Sequence, residues 1–404
     1  MIVRSSVLLR RLALFFAMLM SGGWLLFPRL PLFALIAAAY LLLCGRRLSI
    51  DRRLAAVFVL LAVILLASLL RNAGADFGAV AIRLANFTAG LLLLDLYLRA
   101  GAEAFRRDLF GITHLMAWQA LVTVILAKIA SQLFLSIDVN GTAYQSFLVV
   151  ANYHTTIENS GPFIRPDGFF YEPGVFQIYL NLFLYLALFV FRSARHALLG
   201  LAAVISTQST TGLVIALMLV GVYAFRYINR GSLQVRLARS FWVGLLVIPL
   251  VVVVGLNVVD KVAGESRGSF WSRQYDLLTG VNVILEKPMV GIGFDYDAYY
   301  AASARLGYTD TQLTDRITTD RGNTNGIVFL LYSIGIPLAL PFLIGMFRQG
   351  LFTHRGLIGI LLFLSFLSES IIFTPFFLAV ICGGMLLKPR SNQVKSSQIV
   401  TQHV

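Results

Sequence analysis

The chain has 404 residues, of which 58% are hydrophobic and only 13% are charged, and its mean hydropathy is +0.81. Soluble domains carry roughly a quarter charged residues, so this composition excludes an ordinary soluble enzyme, a disordered chain and a disulfide scaffold, and indicates a protein with several membrane spans. The net charge of +14 does not indicate nucleic-acid binding, because the arginines lie at the ends of apolar segments, where they set topology and bind anionic lipids.

Twelve apolar segments are candidates for membrane-spanning helices. A helix crosses the hydrocarbon core with roughly 20 apolar residues, and somewhat shorter segments suffice. The sequence therefore predicts an all-α polytopic integral membrane protein. The predicted spans lie near residues 12–27, 30–45, 54–70, 79–98, 109–135, 171–191, 196–207, 211–225, 241–259, 325–347, 356–371 and 373–387.

The number of spans depends on the segment 198–225, which is either one long helix or two. The stretch Ser206–Gly212 interrupts it with hydroxyl and amide side chains. If the chain crosses the membrane twice here, most of the 33 lysines and arginines fall on one side of the membrane. A single crossing would move the later basic clusters to the other side. The positive-inside rule therefore favours twelve spans with both termini in the cytoplasm.

Two long polar segments separate groups of spans, and both face outward in this topology. They divide the chain into spans one to five, a first loop, spans six to nine, a second loop, and spans ten to twelve with a short cytoplasmic tail, over residues 1–135, 136–168, 169–259, 260–324 and 325–404. We expect the second loop to be partly helical on the membrane surface, because apolar residues recur there at nearly helical spacing, at Trp271, Tyr275, Leu278 and Leu285.

The start of the sixth span carries the first candidate site. Arg165 lies in the loop before this span, and Glu172 immediately precedes Pro173. A purely structural interpretation is available, since proline suits the first helical position and a carboxylate complements the positive helix start. The functional interpretation combines a guanidinium that clamps an anion with a carboxylate that acts as a base.

Two further groups lie in the polar break and in the second loop. The break Ser206–Gly212, which includes Ser209, is either a helix–helix turn or a polar floor for a hydroxylated substrate. Arg273 is either a surface anchor or an anion-binding group. Gly291 and Gly293 permit a tight turn or a close backbone approach.

The mouth of the tenth span and the span interiors hold the remaining candidates. Asn325 either caps the tenth span or contacts substrate, and Arg316 and Arg321 are candidates for anion binding. Within the spans, Arg83 requires a partner or a wet face, whereas Glu369 has either a paired structural role or a role in a site. The two cysteines and five histidines show no metal-ligand spacing, so no metal site is predicted.

Several motifs, in order along the chain, carry a resemblance to a known family. They are Arg165 with Phe170–Phe176, the Ser206–Gly212 break, Ser272-Arg273, Gly291–Phe294, and Asn325-Gly326 opening a helix that contains Ser333–Ile336. In this order they resemble the Wzy-type O-antigen and exopolysaccharide polymerases, which are related to the O-antigen ligases. The similarity covers the C-terminal part of the chain, and the first five spans match only in hydrophobicity.

The resemblance implies a glycosyltransferase in the bacterial inner membrane, with its active site facing the periplasm. Family members move a glycan from one undecaprenyl-pyrophosphate carrier to the repeat unit on a second carrier, without a nucleotide sugar and without a metal or other cofactor. Direct attack by the acceptor implies inversion at the anomeric carbon. The implied catalytic residues are Glu172 as the base and Arg165 and Arg273 at the pyrophosphate, and the implied substrate-binding residues are Arg316, Arg321, Asn325, Tyr171 and Ser209.

The resemblance also implies partners, and three other functions compete with it. Besides the lipid-linked glycans and membrane lipids, the family works with a flippase and a chain-length regulator, and with no nucleic acid. A lipid-linked oligosaccharide flippase or other transporter is an alternative, but it should show internal repeats and cations deep in several spans, which this sequence lacks. An O-antigen ligase is another, although ligases carry a histidine where this chain has Asn323 or Asn325. A structural subunit of a polysaccharide assembly complex is the third.

Overall fold

The N-terminal part of the protein is a series of five helices. The computed structural model describes residues 2–23, 27–45, 52–71, 77–139, 142–154, 164–228, 232–263, 267–294, 296–305 and 323–385. Within these ranges the chain is mostly helical. The first helices are α1 (Ile2–Met20), α2 (Arg29–Cys44), α3 (Arg52–Arg71), α4 (Phe77–Ala100) and α5 (Ala102–Ile129). Helices α2, α3 and α4 coincide with the second to fourth predicted spans. Helix α1 only overlaps the predicted span 12–27, because it begins at Ile2 and ends at Met20, and α5 begins at Ala102 and ends before residue 135.

The C-terminal part is also built from helices, and it includes the helical segments expected in the second loop. Its helices are α6 (Pro173–Tyr185, continued by a π-helical turn over Leu186–Val190), α7 (Ala194–Thr207), α8 (Thr210–Ile228), α9 (Leu233–Ala263), α10 (Arg267–Glu286), α11 (Tyr296–Arg305), α12 (Gly326–Ile334), α13 (Ile336–Arg348), α14 (Arg355–Phe366) and α15 (Pro375–Met385).

The lengths and composition of the helices support the prediction of a membrane protein. Within the described part of the chain, four helical segments are long and apolar enough to cross a membrane, judged by length and composition: Val80–Ala100, Ala102–Ile129, Pro173–Val190 and Thr210–Ile228. Shorter apolar helices lie in most of the other predicted spans. The prediction of twelve spans with both termini in the cytoplasm goes beyond these four segments and stays a prediction.

The backbone conformation tests two of the predicted helix boundaries. The break between α7 and α8 is confirmed: α7 ends at Thr207, and Gln208 has a left-handed backbone with φ of 51°. The single helix predicted over 325–347 is wrong, because Gly335, with φ of 76°, separates α12 from α13. A side chain at Gly335 would collide with the carbonyl oxygen of Met289, so a close backbone approach requires glycine there.

The first long loop contains a small β-sheet, which the sequence analysis did not predict in this mostly helical chain. The strands β1 (Leu135–Val139), β2 (Thr142–Phe147) and β3 (Ala151–His154) pair antiparallel in the order β1-β2-β3. Leu135 pairs with Ser146, and Phe147 pairs with Ala151. Residues in β1 alternate between apolar and polar, which is the period of a β-strand.

Helix α6 is buried by its neighbours. It packs against α5, α7 and α8, and its side chains are buried on all sides from Val175 onward, as expected for a helix that is apolar around its whole circumference. Two buried amides interrupt that apolar surface. Asn181 Nδ2 donates to Gln177 Oε1 at 2.8 Å and to the Gly212 carbonyl oxygen at 3.1 Å, which joins α6 to the start of α8.

Candidate functional site

Arg165 contacts the polar break between α7 and α8. Its Nε donates to the carbonyl oxygen of Thr207 at 3.1 Å. Thr207 is the last residue of α7, where carbonyl groups lack helical partners and attract cations. Two motifs that are separate in the sequence, the loop before α6 and the hydroxyl-rich break, therefore meet in space.

The side chains of the break mostly bond to the protein itself. Ser209 precedes α8 and accepts a hydrogen bond from the Gly212 amide on Oγ at 3.4 Å, so it caps that helix. Thr207 Oγ1 accepts from the Ser209 amide at 3.3 Å. Thr210 Oγ1 donates to Asn257 Oδ1 of α9. These bonds agree with the helix–turn interpretation of the break, and contact between Ser209 and substrate stays a prediction.

The break packs against the first turns of α6. A side chain at Gly212 would meet Cβ of Gln177 at 2.8 Å, so only glycine fits at this crossing. Gln177 Nε2 in turn donates to the Gly174 carbonyl oxygen at 2.9 Å. One continuous set of contacts thus runs from Arg165 through the break to the start of α6.

The small sheet holds the loop that connects Arg165 to α6. Asn152 of β3 donates its Nδ2 to the Gly168 carbonyl oxygen at 2.7 Å, and its own carbonyl oxygen accepts from the Asp167 amide at 2.8 Å. Tyr144 of β2 donates its hydroxyl to the Tyr171 carbonyl oxygen at 2.9 Å. The sheet therefore fixes the backbone on both sides of this loop, a function that the sequence analysis did not predict.

Tyr144 acts as a hydrogen-bond donor because its phenol stays protonated. Burial raises the pKa of Tyr144 above its ordinary value, and the nearby negative charges of Asp167 and Glu172 raise it further. Burial also raises the pKa of Tyr171, with the carboxylates of Glu172 and Glu369 adding to the shift. Tyr171 therefore lies near both carboxylates, and it is a neutral donor at physiological pH.

Glu172 stands at the start of α6 without capping it. Its backbone is extended, with φ of −157° and ψ of 158°, and its side chain makes no capping hydrogen bond to the described turns of the helix. Pro173 occupies the first helical position, as the sequence predicts. The position of Glu172 thus agrees with both interpretations, but the carboxylate is not engaged as a helix cap.

Glu369 lies beside Glu172, which is the main addition of the structure to the site. Glu369 is only 3% exposed. A Cβ atom at Gly174 would collide with Oε1 of Glu369 and lie 3.4 Å from Oε1 of Glu172. The two carboxylates therefore flank the first turn of α6 at a point where only glycine leaves room. The sequence left the role of Glu369 open, and the structure brings it to the predicted base.

The start of α12 meets the same glutamate. Asn325 Oδ1 accepts from the amides of Ile327 and Val328, both at 3.1 Å, which confirms the predicted cap. A Cβ atom at Gly326 would lie 2.5 Å from the carbonyl oxygen of Glu369. The N-terminal ends of α6 and α12 thus converge on the Glu369 segment, and helix N-terminal ends favour anions.

Helix α10 is joined to the start of α12 by a third carboxylate, that of Asp276. Asp276 Oδ2 accepts from the amide and the hydroxyl of Thr324 at 3.0 and 2.6 Å. Asn323 Nδ2 donates to the Asp276 carbonyl oxygen at 2.6 Å. Arg273 is one turn before Asp276 on the same face of α10 and is partly exposed. It therefore lies on the helix face that approaches the start of α12. Asp276 was not singled out in the sequence, although its spacing from Arg273 is a detectable signal.

Arg83 contacts an aromatic ring that directly follows the two glycines of the second loop. The guanidinium carbon of Arg83 lies 4.8 Å from the centre of the Phe294 ring, a cation–π arrangement. This confirms that Arg83 has a partner.

The amides of Ile292 and Gly293 donate to the carbonyl oxygens of Tyr332 and Ser333 at 2.8 and 2.9 Å, which confirms the predicted close backbone approach.

The structure brings Arg165 to the polar break, and it brings Glu172, Tyr171 and the start of α12 to Glu369. Proximity of Arg273 to these two groups stays a prediction. Arg316 and Arg321 lie outside the described residues. Among the residues that the structure describes, no group of three or more histidines, cysteines or carboxylates is arranged to hold a metal ion. No protein-family model, curated protein or solved structure matches the chain. Function is therefore inferred from the residues themselves.

Proposed function

We propose that the protein is a polysaccharide polymerase of the bacterial inner membrane. It joins undecaprenyl-pyrophosphate-linked oligosaccharide repeat units at the periplasmic face, with both termini in the cytoplasm. The observation that carries the proposal is the series of contacts from Arg165 through the polar break and Gln177 to Gly174, which the carboxyl groups of Glu172 and Glu369 flank. A guanidinium for a pyrophosphate and a carboxylate for a hydroxyl are the two groups that this transfer requires.

The proposed reaction is a direct displacement at the anomeric carbon of the donor. Glu172 accepts the proton of the acceptor hydroxyl, and the acceptor oxygen forms the new glycosidic bond. The bond between the anomeric carbon and the pyrophosphate oxygen breaks, and the lipid pyrophosphate leaves with the electron pair. Arg165 and Arg273 stabilise the charge that develops on it. Attack from the face opposite the leaving group inverts the anomeric configuration.

Glu369 and Tyr171 complete the acceptor side of this proposal. The Glu369 carboxylate adjoins Gly174, so it can accept a hydrogen bond from a second hydroxyl of the acceptor sugar. Tyr171, held neutral beside the two carboxylates, can donate one. The two residues thus orient the acceptor while Glu172 takes the proton, and orientation of this kind lowers the barrier of a bimolecular step.

The amide side chains at the start of α12 favour a polymerase over a ligase. Asn325 caps the helix, and Asn323 Nδ2 donates to the Asp276 carbonyl oxygen and to the Tyr299 hydroxyl. An asparagine is not a base near neutral pH, and both side chains are engaged in holding this junction together. The proton therefore requires a carboxylate, which again points to Glu172.

The experiment uses purified protein and a lipid-linked repeat unit from the source organism. The two are incubated in detergent with EDTA and no nucleotide, and the glycans are separated on a gel. We expect a ladder spaced by one repeat. If no ladder forms and the same lipid crosses liposome membranes only when the protein is present, the protein is a flippase and the proposal is wrong.

A further inference from the structure

The turn between β2 and β3 lies beside the middle of α5. Gln119 of α5 donates its Nε2 to the carbonyl oxygen of Val150 in this turn. Gln119 precedes the end of α5, at Ile129, by ten residues, which corresponds to about 15 Å along the helix axis. Helix α5 is one of the helices long and apolar enough to cross a membrane. In the predicted topology its C-terminal end faces outward, so the turn reaches well below the outer end of this predicted span.

The sheet is apolar at the end that points along α5. Leu135, Leu148 and Val150 are 70%, 75% and 46% exposed. Leu135 pairs with Ser146 at the end of the sheet nearest the turn. The opposite end carries the exposed Asp138. Large apolar side chains collected at one end of a sheet are unfavourable in water and favourable in hydrocarbon.

Three backbone groups of the turn find hydrogen-bond partners within the protein. A peptide group in the bilayer core must find its partner within the protein, because no water is available there. The Val150 amide donates to the Phe147 carbonyl oxygen, and Asn152 Nδ2 donates to the Val149 carbonyl oxygen, both at 3.1 Å. Gln119 donates a hydrogen bond to the carbonyl oxygen of Val150. This polar residue of an apolar helix therefore holds the turn against α5.

We propose that the β2–β3 turn is inserted among the acyl chains of the outer leaflet, with Leu148 and Val150 in contact with lipid. The partner is the hydrocarbon of the bilayer. The same sheet holds the loop before α6 through Asn152 and Tyr144. The depth of the turn therefore fixes the height of that loop relative to the membrane surface, and this holds whatever reaction the site performs.

The test places a spin label at the turn and at the opposite end of the sheet. Cys44 and Cys382 are replaced by alanine, and Leu148→Cys and Asp138→Cys are labelled in the otherwise complete chain in liposomes. Molecular oxygen concentrates in hydrocarbon, whereas a nickel chelate stays in water. We expect the label at position 148 to collide with oxygen and to lose its collisions with nickel, and the label at 138 to do the reverse.

Two results would overturn the proposal. Equal collision rates with nickel at positions 148 and 138 would place the turn in water. Few collisions with either reagent at 148 would mean that protein covers the turn. Val150→Cys is the second variant, used if Leu148→Cys does not elute as folded protein, and it is expected to give the same oxygen and nickel pattern.

Discussion

Two helix starts meet at Glu369, and they are built in opposite ways. At the start of α12, the Asn325 side chain accepts hydrogen bonds from two amides of the first turn. At the start of α6, Pro173 has no amide hydrogen, and Glu172 makes no capping bond to the turns described for that helix. The polar side chain therefore stabilises the helix in one case, whereas in the other it remains available for a different function.

The backbone and the carboxyl group of Glu369 contact different helix starts. Its carbonyl oxygen packs against Gly326 of α12, and its carboxylate faces Gly174 of α6. The backbone thus contributes to the packed junction, while the carboxyl group lies next to Glu172. We expect substitutions at the α6 side to change the reaction and substitutions at the α12 side to change stability alone, and each prediction below tests one half of that difference.

The largest expected effect is that of Glu172→Gln. The amide keeps the size of the side chain but accepts no proton, so polymer formation should fall by about 10²–10⁴-fold, the usual contribution of a general base. The initial rate of ladder formation measures it. The thermal unfolding temperature should change little, because Glu172 makes no capping hydrogen bond to α6.

The matched control is Glu286→Gln, which removes an exposed carboxylate of α10 that pairs with Arg305. It should retain the wild-type rate. If Glu172→Gln also retains that rate, Glu172 is only a residue at a helix start and the base is elsewhere.

Arg165→Ala should have the next largest effect. Loss of one group that stabilises the leaving pyrophosphate is expected to lower the rate by about 10²–10³-fold. Arg165→Lys should recover only part of it, because lysine keeps the charge but loses the bidentate geometry. Initial rates of all variants are compared with those of Arg305→Ala, which removes an exposed arginine near α10. Full activity of the lysine variant would show that charge alone suffices.

Gly174→Ala tests the contact between α6 and Glu369. The new methyl group collides with Glu369 Oε1, so we expect lower activity and a stability loss of about 1–3 kcal/mol, typical of overpacking. The double variant with Glu369→Asp, whose side chain is one methylene shorter, should regain part of the stability. Activity and thermal unfolding are measured for both.

Gly221→Ala in α8 is the control for that substitution, because a Cβ atom there meets no described atom within 4 Å. Alanine should be neutral or slightly stabilising at this position. If Gly174→Ala has the same activity and stability as Gly221→Ala, the Glu369 carboxyl group does not pack against the first turn of α6.

The positions of the helices are largely readable from the sequence, because apolar runs end at charged or polar residues. Helix α4 ends near Arg99 and α8 ends near Arg226, as the hydropathy pattern predicts. The interruption at Ser206–Gly212 is predicted by the distribution of basic residues, and the chain does break there. These features depend on local composition and on the membrane, both of which act on short stretches of chain.

The contacts of the site are less predictable, because they join distant residues. The break at Gly335 results from its approach to Met289, and the position of Glu369 beside Gly174 depends on how α6 and α12 meet. The sheet has a different cause: the alternation in β1 is visible in the sequence, but its strands are too short to stand out in a chain that is apolar nearly throughout. The residue types of the site are predictable, whereas the pairing of its two glutamates is not.

Asn325→Ala should have the smallest effect and should affect the other helix start. The substitution removes the acceptor for two amides, and loss of such a cap costs about 1 kcal/mol. Asn325→Asp should retain most of the stability, since aspartate caps as well as asparagine. Thermal unfolding gives the stability, and the rate per folded molecule should stay near that of the wild type. A large loss of rate with unchanged stability would instead assign Asn325 to substrate binding and remove the contrast between the two helix starts.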